Sequence, residues 1–198
     1  SIVTSGKRLT DEEVDQVCES IRKIKEETNI EVCFSFGLLK EEQLRKVREA
    51  GATRAHCNLE TSRRYFPEIC TTHTYDQKIE TLKAAVAAGL SICSGGIMGL
   101  GETLEDRVDM VLTAKELGVK SVPVNFLNPI PGTPYEDNKP LTDEEARQCV
   151  AVFRFIIPDA SIRLAGGRGL LDDKGKECFQ SGANAAISGD MLTTAGIT

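Results

Sequence analysis

Apolar residues along this chain switch repeatedly between two spacings. Val14, Val17, Ile21 and Ile24 recur near the 3.6-residue period of a helix. That helix opens at Thr10, with Glu13 three residues on as in a capping box, and frays near Asn29. Residues 30–36 then read as a strand stopped by Gly37, and helix 40–50 ends at Gly51, a common C-terminal glycine. The unit recurs. Strand 53–59 leads through a loop containing Pro67 to helix 75–88, which stops at Gly89. Strand 90–97 leads through a glycine-rich loop to helix 103–117, which stops at Gly118. Strand 120–127 is followed by a run of prolines and glycine that forbids regular structure. Thr142 caps helix 143–157, Pro158 breaks it, and strand 160–165 follows. A short helix near 172–181 and a last strand near 185–191 complete the pattern, while residues 2–6 read as the end of an opening strand.

Seven strands, each but the last followed by a helix, predict an α/β fold with a parallel sheet. The architecture expected is a TIM-type (β/α)8 barrel with about seven of its eight units present. A complete barrel takes roughly 250 residues, against 198 here, so a first strand–helix unit is expected to be missing. No linker or low-complexity stretch divides the chain, and residues 1–198 are read as one partial barrel domain.

A formal net charge of -6 argues against nucleic acid and anionic membranes as partners. No run approaches the ~18 apolar residues of a membrane span, and no signal pattern opens the chain. A cytoplasmic protein is expected. Its seven cysteines should then stay reduced rather than form disulfides. Cys18, Cys149 and Cys178 lie in helical patterns and read as small core residues, and Cys70 sits in a loop with an open role.

Cys33, Cys57 and Cys93 stand apart, because each lies near the end of a strand. Side chains at equivalent strand positions converge in such a barrel, so the three thiols are expected to form a ligand set for a soft metal centre. Two residues after Cys93 begins the run Gly95, Gly96, Gly99, Gly101. Glycine has no Cβ to hold a ligand away, so this segment is expected to offer bare backbone to an amino-acid-like or adenosyl group. Glu102 is expected to meet the positive end of the following helix.

Five segments in order, HCNLETS, SICSGGIMGLGET, SVPVNFLNPIPGTP, SIRLAGGR and MLTT, resemble the biotin synthase family of the radical S-adenosylmethionine superfamily. The resemblance runs in register across essentially the whole chain. It implies a (β/α)8 barrel and sulfur insertion into dethiobiotin, driven by 5′-deoxyadenosyl radicals, with an auxiliary iron–sulfur cluster as sulfur donor. By the same resemblance, Asn58 and Glu60 match residues at the adenosyl ribose. Gly95, Gly96 and Ile97 match the strand end that meets the methionyl and adenine portions, and Lys78 a cation near the methionyl carboxylate. Asn125 matches the reader of the ureido ring, Thr193 and Thr194 match hydroxyls at the substrate carboxylate, and Arg163 matches an arginine ligand of the auxiliary cluster.

Two departures stand out. The CxxxCxxC motif that holds the radical [4Fe–4S] cluster is not in this chain, so its ligands are expected upstream. Of the auxiliary-cluster cysteines, two match Cys33 and Cys93, while the third falls at Ser1, and Cys57 stands where the family carries a histidine. A thiolate moved from one strand to another leaves the auxiliary centre either a [2Fe–2S] cluster or a four-iron variant. The resemblance also implies an electron donor such as flavodoxin or ferredoxin, and a homodimer. The rival readings are another radical enzyme of the hydrogenase-maturase or methylornithine-synthase type, and a non-catalytic metal-binding barrel.

Overall fold

The structure is a computed structural model and describes residues 1–189. The elements follow the sequence pattern closely. They run β1 (Ile2–Val3), α1 (Asp11–Glu27), β2 (Val32–Ser35), α2 (Glu41–Glu49), β3 (Ala52–His56), α3 (Phe66–Ile69), α4 (Tyr75–Ala87), β4 (Ser91–Cys93) and β5 (Gly96–Met98). Then come α5 (Leu104–Glu116), β6 (Ser121–Phe126), α6 (Asp143–Ile156), β7 (Ser161–Leu164), a 3-10 turn (Arg168–Leu170), α7 (Lys176–Gln180) and β8 (Ala185–Ala186). No helix among the described residues is long and apolar enough to cross a membrane.

Local chemistry sets where the long helices begin. Thr10 Oγ1 accepts from the Glu13 amide at 3.3 Å, and Glu13 returns the favour by accepting from the Thr10 amide at 2.7 Å. The same reciprocal box opens α4 at Thr74 and Gln77, α5 at Thr103 and Asp106, and α6 at Thr142 and Glu145. Each box satisfies amides that the first helical turn leaves without partners. Past α4 and α5 the chain turns at Gly89 and Gly118, with φ of 79° and 75°, a conformation that costs glycine nothing.

The chain's internal contacts gather into two compact units, although no linker marks a boundary in the sequence. The first comprises Ser1–Asn58 with Cys70–Ser94. In it β1, β2, β3 and β4 pair in order, all parallel, and α1, α2 and α4 pack as neighbours. Its helices bury Val14, Cys18 and Ile21 from α1, Leu44 and Val47 from α2, and Leu82 and Ala85 from α4.

The second unit comprises Leu59–Ile69 and the chain from Gly95 onward. Here β5, β6, β7 and β8 pair in order, again parallel, with α5 against α6 and α6 against α7. Alternation in β7 turns Ile162 and Leu164 fully into the core and leaves Ser161 and Arg163 half-buried.

Two of the differences from the sequence reading have a visible cause. The strand expected over 90–97 is broken into β4 and β5. In β6, odd-numbered residues turn their amides toward β5, as Leu127 N donates to Met98 O at 2.9 Å, and even ones toward β7, as Phe126 N donates to Gly166 O at 2.8 Å. Pro123 has no amide hydrogen to give on the β5 side, so the ladder lapses where Gly95 lies against it. The helix expected over 172–181 is shortened to α7, because Gly175 at its start adopts a left-handed φ of 78°.

Arg154 closes the C-terminal end of α6. Its guanidinium donates to the carbonyls of Gly182 at 2.9 Å and of Pro158 and Ala160 at 2.8 Å each. Replacing it by methionine keeps the stem but leaves three carbonyls without that donor. Arg154→Met should lower unfolding free energy by ~1–3 kcal/mol, read as a lower urea midpoint with unchanged slope. An unmoved midpoint would show that water replaces the arginine at no loss.

Candidate cofactor and substrate site

In the first unit, parallel register decides which residues share a face. Cys33 stands opposite Arg54, and His56 stands opposite Cys93. Side chains alternate with a period of two along a strand, so Cys33, Arg54, His56 and Cys93 lie in phase on one face. Cys57 follows directly after β3, one step out of phase with His56. Its amide donates to the Cys93 carbonyl at 3.1 Å, which continues the backbone ladder past the end of the strand. Cys93 is 2% exposed, Cys57 8%, and Cys33 is half-buried. Cys33 and Cys93 thus share a face by register, while Cys57 lies past the end of β3, where the pairing does not fix its side. Among the described residues no three Cys, His, Asp or Glu side chains are drawn together at metal-holding distance. The histidine of the HCN run, in phase with both thiols, was legible only through strand parity. Lys78 lies in α4 with 9% exposure, and Asn58 closes the unit half-buried.

The second unit holds the glycine segment. Glu60 sits at φ 71°, a left-handed conformation that is uncommon without glycine. Its amide donates to Gly95 O at 3.0 Å, and its carbonyl accepts from Ile97 N at 2.9 Å, a one-residue parallel bridge. A Cβ on Gly96 would stand 2.2 Å from Glu60 O, and one on Gly95 would stand 2.0 Å from Pro123 O. The space that glycine frees is therefore taken up by neighbouring backbone. The observed packing requires glycine at both positions on steric grounds alone.

Asn125 lies opposite Ile97, and Arg163 opposite Pro123, so Asn125 and Arg163 share one face of the β6–β7 pair. The Asn125 amide group donates to Gly96 O at 3.0 Å and accepts from Gly166 N at 2.9 Å. These bonds tie the start of β5 to the turn after β7. One N–H and one lone pair of the side chain remain for other partners. Thr193 and Thr194 lie outside the described residues.

Two buried carboxylates fasten this unit. Glu102 does not serve the α5 terminus, which Thr103 and Asp106 cap. It folds back instead, accepting from Gly99 N at 2.8 Å and from Arg107 Nε at 2.7 Å. Asp106, 1% exposed, accepts from Ser62 Oγ at 2.5 Å, from Arg64 Nε at 3.0 Å, and from the amide and hydroxyl of Thr103. It thereby anchors the segment carrying Glu60 to the start of α5. Burial pushes the Asp106 carboxyl upward, but the bonds from Arg64, Ser62 and Thr103 outweigh it and hold the group well below the usual carboxylate range.

Residues 1–114 match the radical SAM superfamily model, and residues 123–198 match the biotin and thiamin synthesis associated domain. The chain is 62% identical over 198 residues to biotin synthase 2 of Corynebacterium diphtheriae, covering 100% of this chain and 60% of that protein. It is 60% identical to the biotin synthase of Akkermansia muciniphila, covering 62% of it. The chain thus spans about three-fifths of the length of these relatives. Among solved structures it is similar to methylornithine synthase, with a TM-score of 0.78 and 22% identity over 88% of this chain and 52% of that one. The FeFe-hydrogenase maturase HydG of Carboxydothermus hydrogenoformans gives a TM-score of 0.77 and 18% identity over 94% and 46%. At those identities the likeness shows a shared α/β fold and nothing more.

The depressed carboxyl of Asp106 carries a sign. Its stabilisation is fully present above the unfolded value, about 4, and is lost as pH falls through that value toward the lower folded one. Asp106→Asn should therefore cost ~1–3 kcal/mol near neutrality, reduced by screening at the exposed Arg64. The wild-type and variant melting curves should converge as pH is lowered below about 4. Parallel curves throughout would mean that Asp106 contributes no proton-linked stability.

Proposed function

Since the chain belongs to the radical SAM superfamily, we propose that it forms the larger part of a biotin synthase-type enzyme, inserting sulfur into dethiobiotin to give biotin. The observation that carries this reading is an identity of about 60% to biotin synthases across the full length of the chain. Bound S-adenosylmethionine and two iron–sulfur clusters would supply the radical chemistry and the sulfur. The chain's own residues bind and orient.

In this reading Asn58 and Glu60 hold the ribose diol, with Glu60 aimed by its left-handed backbone and by the Ser62–Asp106 anchor behind it. Lys78 faces the methionyl carboxylate, and the Gly95–Gly96–Ile97 backbone meets the methionyl and adenine groups. Asn125 offers its remaining N–H and lone pair to the ureido ring, while Thr193 and Thr194 receive the substrate carboxylate. Cys33 and Cys93 fit a thiolate pair, since register places them in phase, and Cys57 and Arg163 complete the auxiliary set. The radical [4Fe–4S] cluster takes its ligands from outside this chain. The auxiliary cluster is [2Fe–2S] or a four-iron variant, the reductant is a flavodoxin- or ferredoxin-type donor, and the enzyme works as a cytoplasmic homodimer.

Asn125→Ala in cluster-reconstituted enzyme should weaken dethiobiotin binding by ~1–3 kcal/mol for each substrate bond lost, with iron content unchanged. Loss of thermal stability without loss of affinity would restrict Asn125 to its ties with Gly96 and Gly166.

Cys57→Ser tests the third thiolate. Iron and sulfide counts and the visible spectrum should show loss of the auxiliary cluster with the radical cluster retained, because a hydroxyl is a poor ligand for a soft centre. An unchanged auxiliary cluster would remove Cys57 and direct the search to His56, which register places in phase with both thiols.

A further inference from the structure

The loop before α4 brings together groups that the proposed reaction does not use. Cys70 Sγ lies 3.4 Å from His73 Nδ1 and 3.5 Å from Thr72 Oγ1, and Thr72 Oγ1 lies 2.9 Å from the same ring nitrogen. The ammonium of Lys7 donates to Thr72 O at 2.9 Å, and Lys78 stands within electrostatic reach from α4. We propose that Cys70 is a nucleophilic thiolate activated by His73, a modification site that takes soft electrophiles of the low-molecular-weight disulfide class.

The neighbours assign the parts. Partial burial works against a thiolate at Cys70, but the Thr72 hydroxyl, the His73 and Thr72 amides and the Lys78 charge favour one, and the thiol is held below its ordinary value. Burial, with Lys78 and Lys7, keeps His73 below its own ordinary value, so the imidazole is neutral near pH 7 and can accept the thiol proton.

Burial sets most of the other cysteines apart. Burial pushes the thiols of Cys18 and Cys149 up and that of Cys178 up to about 11. Cys57 and Cys93 are buried at 8% and 2% exposure. Cys33 and Cys70 are the half-exposed pair, and Cys70 has an imidazole and a hydroxyl at hydrogen-bonding distance.

The step balances. The Cys70 proton passes to His73 Nδ1, and the thiolate attacks one sulfur of the disulfide. A new S–S bond joins Cys70 to that half while the original S–S bond breaks. The other half leaves as thiolate and takes the proton from His73. The disulfide is the oxidant, and Cys70 is oxidised to the mixed disulfide.

The test treats the native protein with limiting glutathione disulfide without air, and maps adducts peptide by peptide by mass spectrometry. Cys70 should form the mixed disulfide several-fold faster than Cys33 at pH 7, because a sulfur held by an imidazole and a hydroxyl spends more of its time as the thiolate. His73→Asn keeps a hydrogen-bonding side chain but cannot take the proton, so it should slow the reaction near neutrality and move the rate profile to higher pH. Equal or faster labelling of Cys33 would overturn the site. An unaltered pH profile in His73→Asn would overturn the role of the imidazole.

Discussion

Backbone packed directly on backbone at Gly95 and Gly96 is the constraint on which the second unit depends. A carbonyl of β6 and a carbonyl of Glu60 occupy the volume that any side chain would need. Beside them the ladder lapses at Pro123, Glu60 takes a left-handed backbone as it bonds Gly95 and Ile97, and Asn125 reaches back to Gly96. The residues assigned to cofactor and substrate are thus coupled through main-chain geometry before any ligand is considered. Left-handed backbone at a non-glycine residue stores of order 1–3 kcal/mol. Here the Ser62–Asp106–Arg64 group is the element that holds it in place.

Much of this was readable from residues. Thr10 and Thr142 announced their helices, and Gly89 and Gly118 marked where helices stop. Strand–helix alternation predicted parallel pairing, which every described strand pair obeys. The break inside 90–97 was not readable from that segment, because its cause sits across the sheet at Pro123, some thirty positions later. The role of Glu102 was misassigned for a related reason. Its place at the head of a helix suggested a dipole partner, but the local box of Thr103 and Asp106 had already satisfied those amides. Arg107, one helical turn inside α5, captured the carboxylate instead.

The thiols illustrate the limit of strand-end reasoning. Position near a strand end says how far along the sheet a residue lies, whereas parity says which face it takes. Cys33 and Cys93 agree on both counts, while for Cys57, past the end of β3, the pairing fixes only the first. His56, passed over beside it, agrees on both. Asn125 shows a different limit. Its fit to a ureido ring is a matter of donor and acceptor type, and backbone amides and carbonyls present the same pair of types.

The reciprocal caps have a consequence for how such a chain can change over time. Each box closes within the helix's own first four residues, so the start of α1, α4, α5 or α6 is specified without help from the loop before it. Those loops follow the strand ends where the proposed cofactor and substrate residues are carried. They can be lengthened, shortened or exchanged while the helix behind them still nucleates at the same threonine. Specificity can therefore drift at the strand ends of this scaffold without reopening the question of where its helices begin.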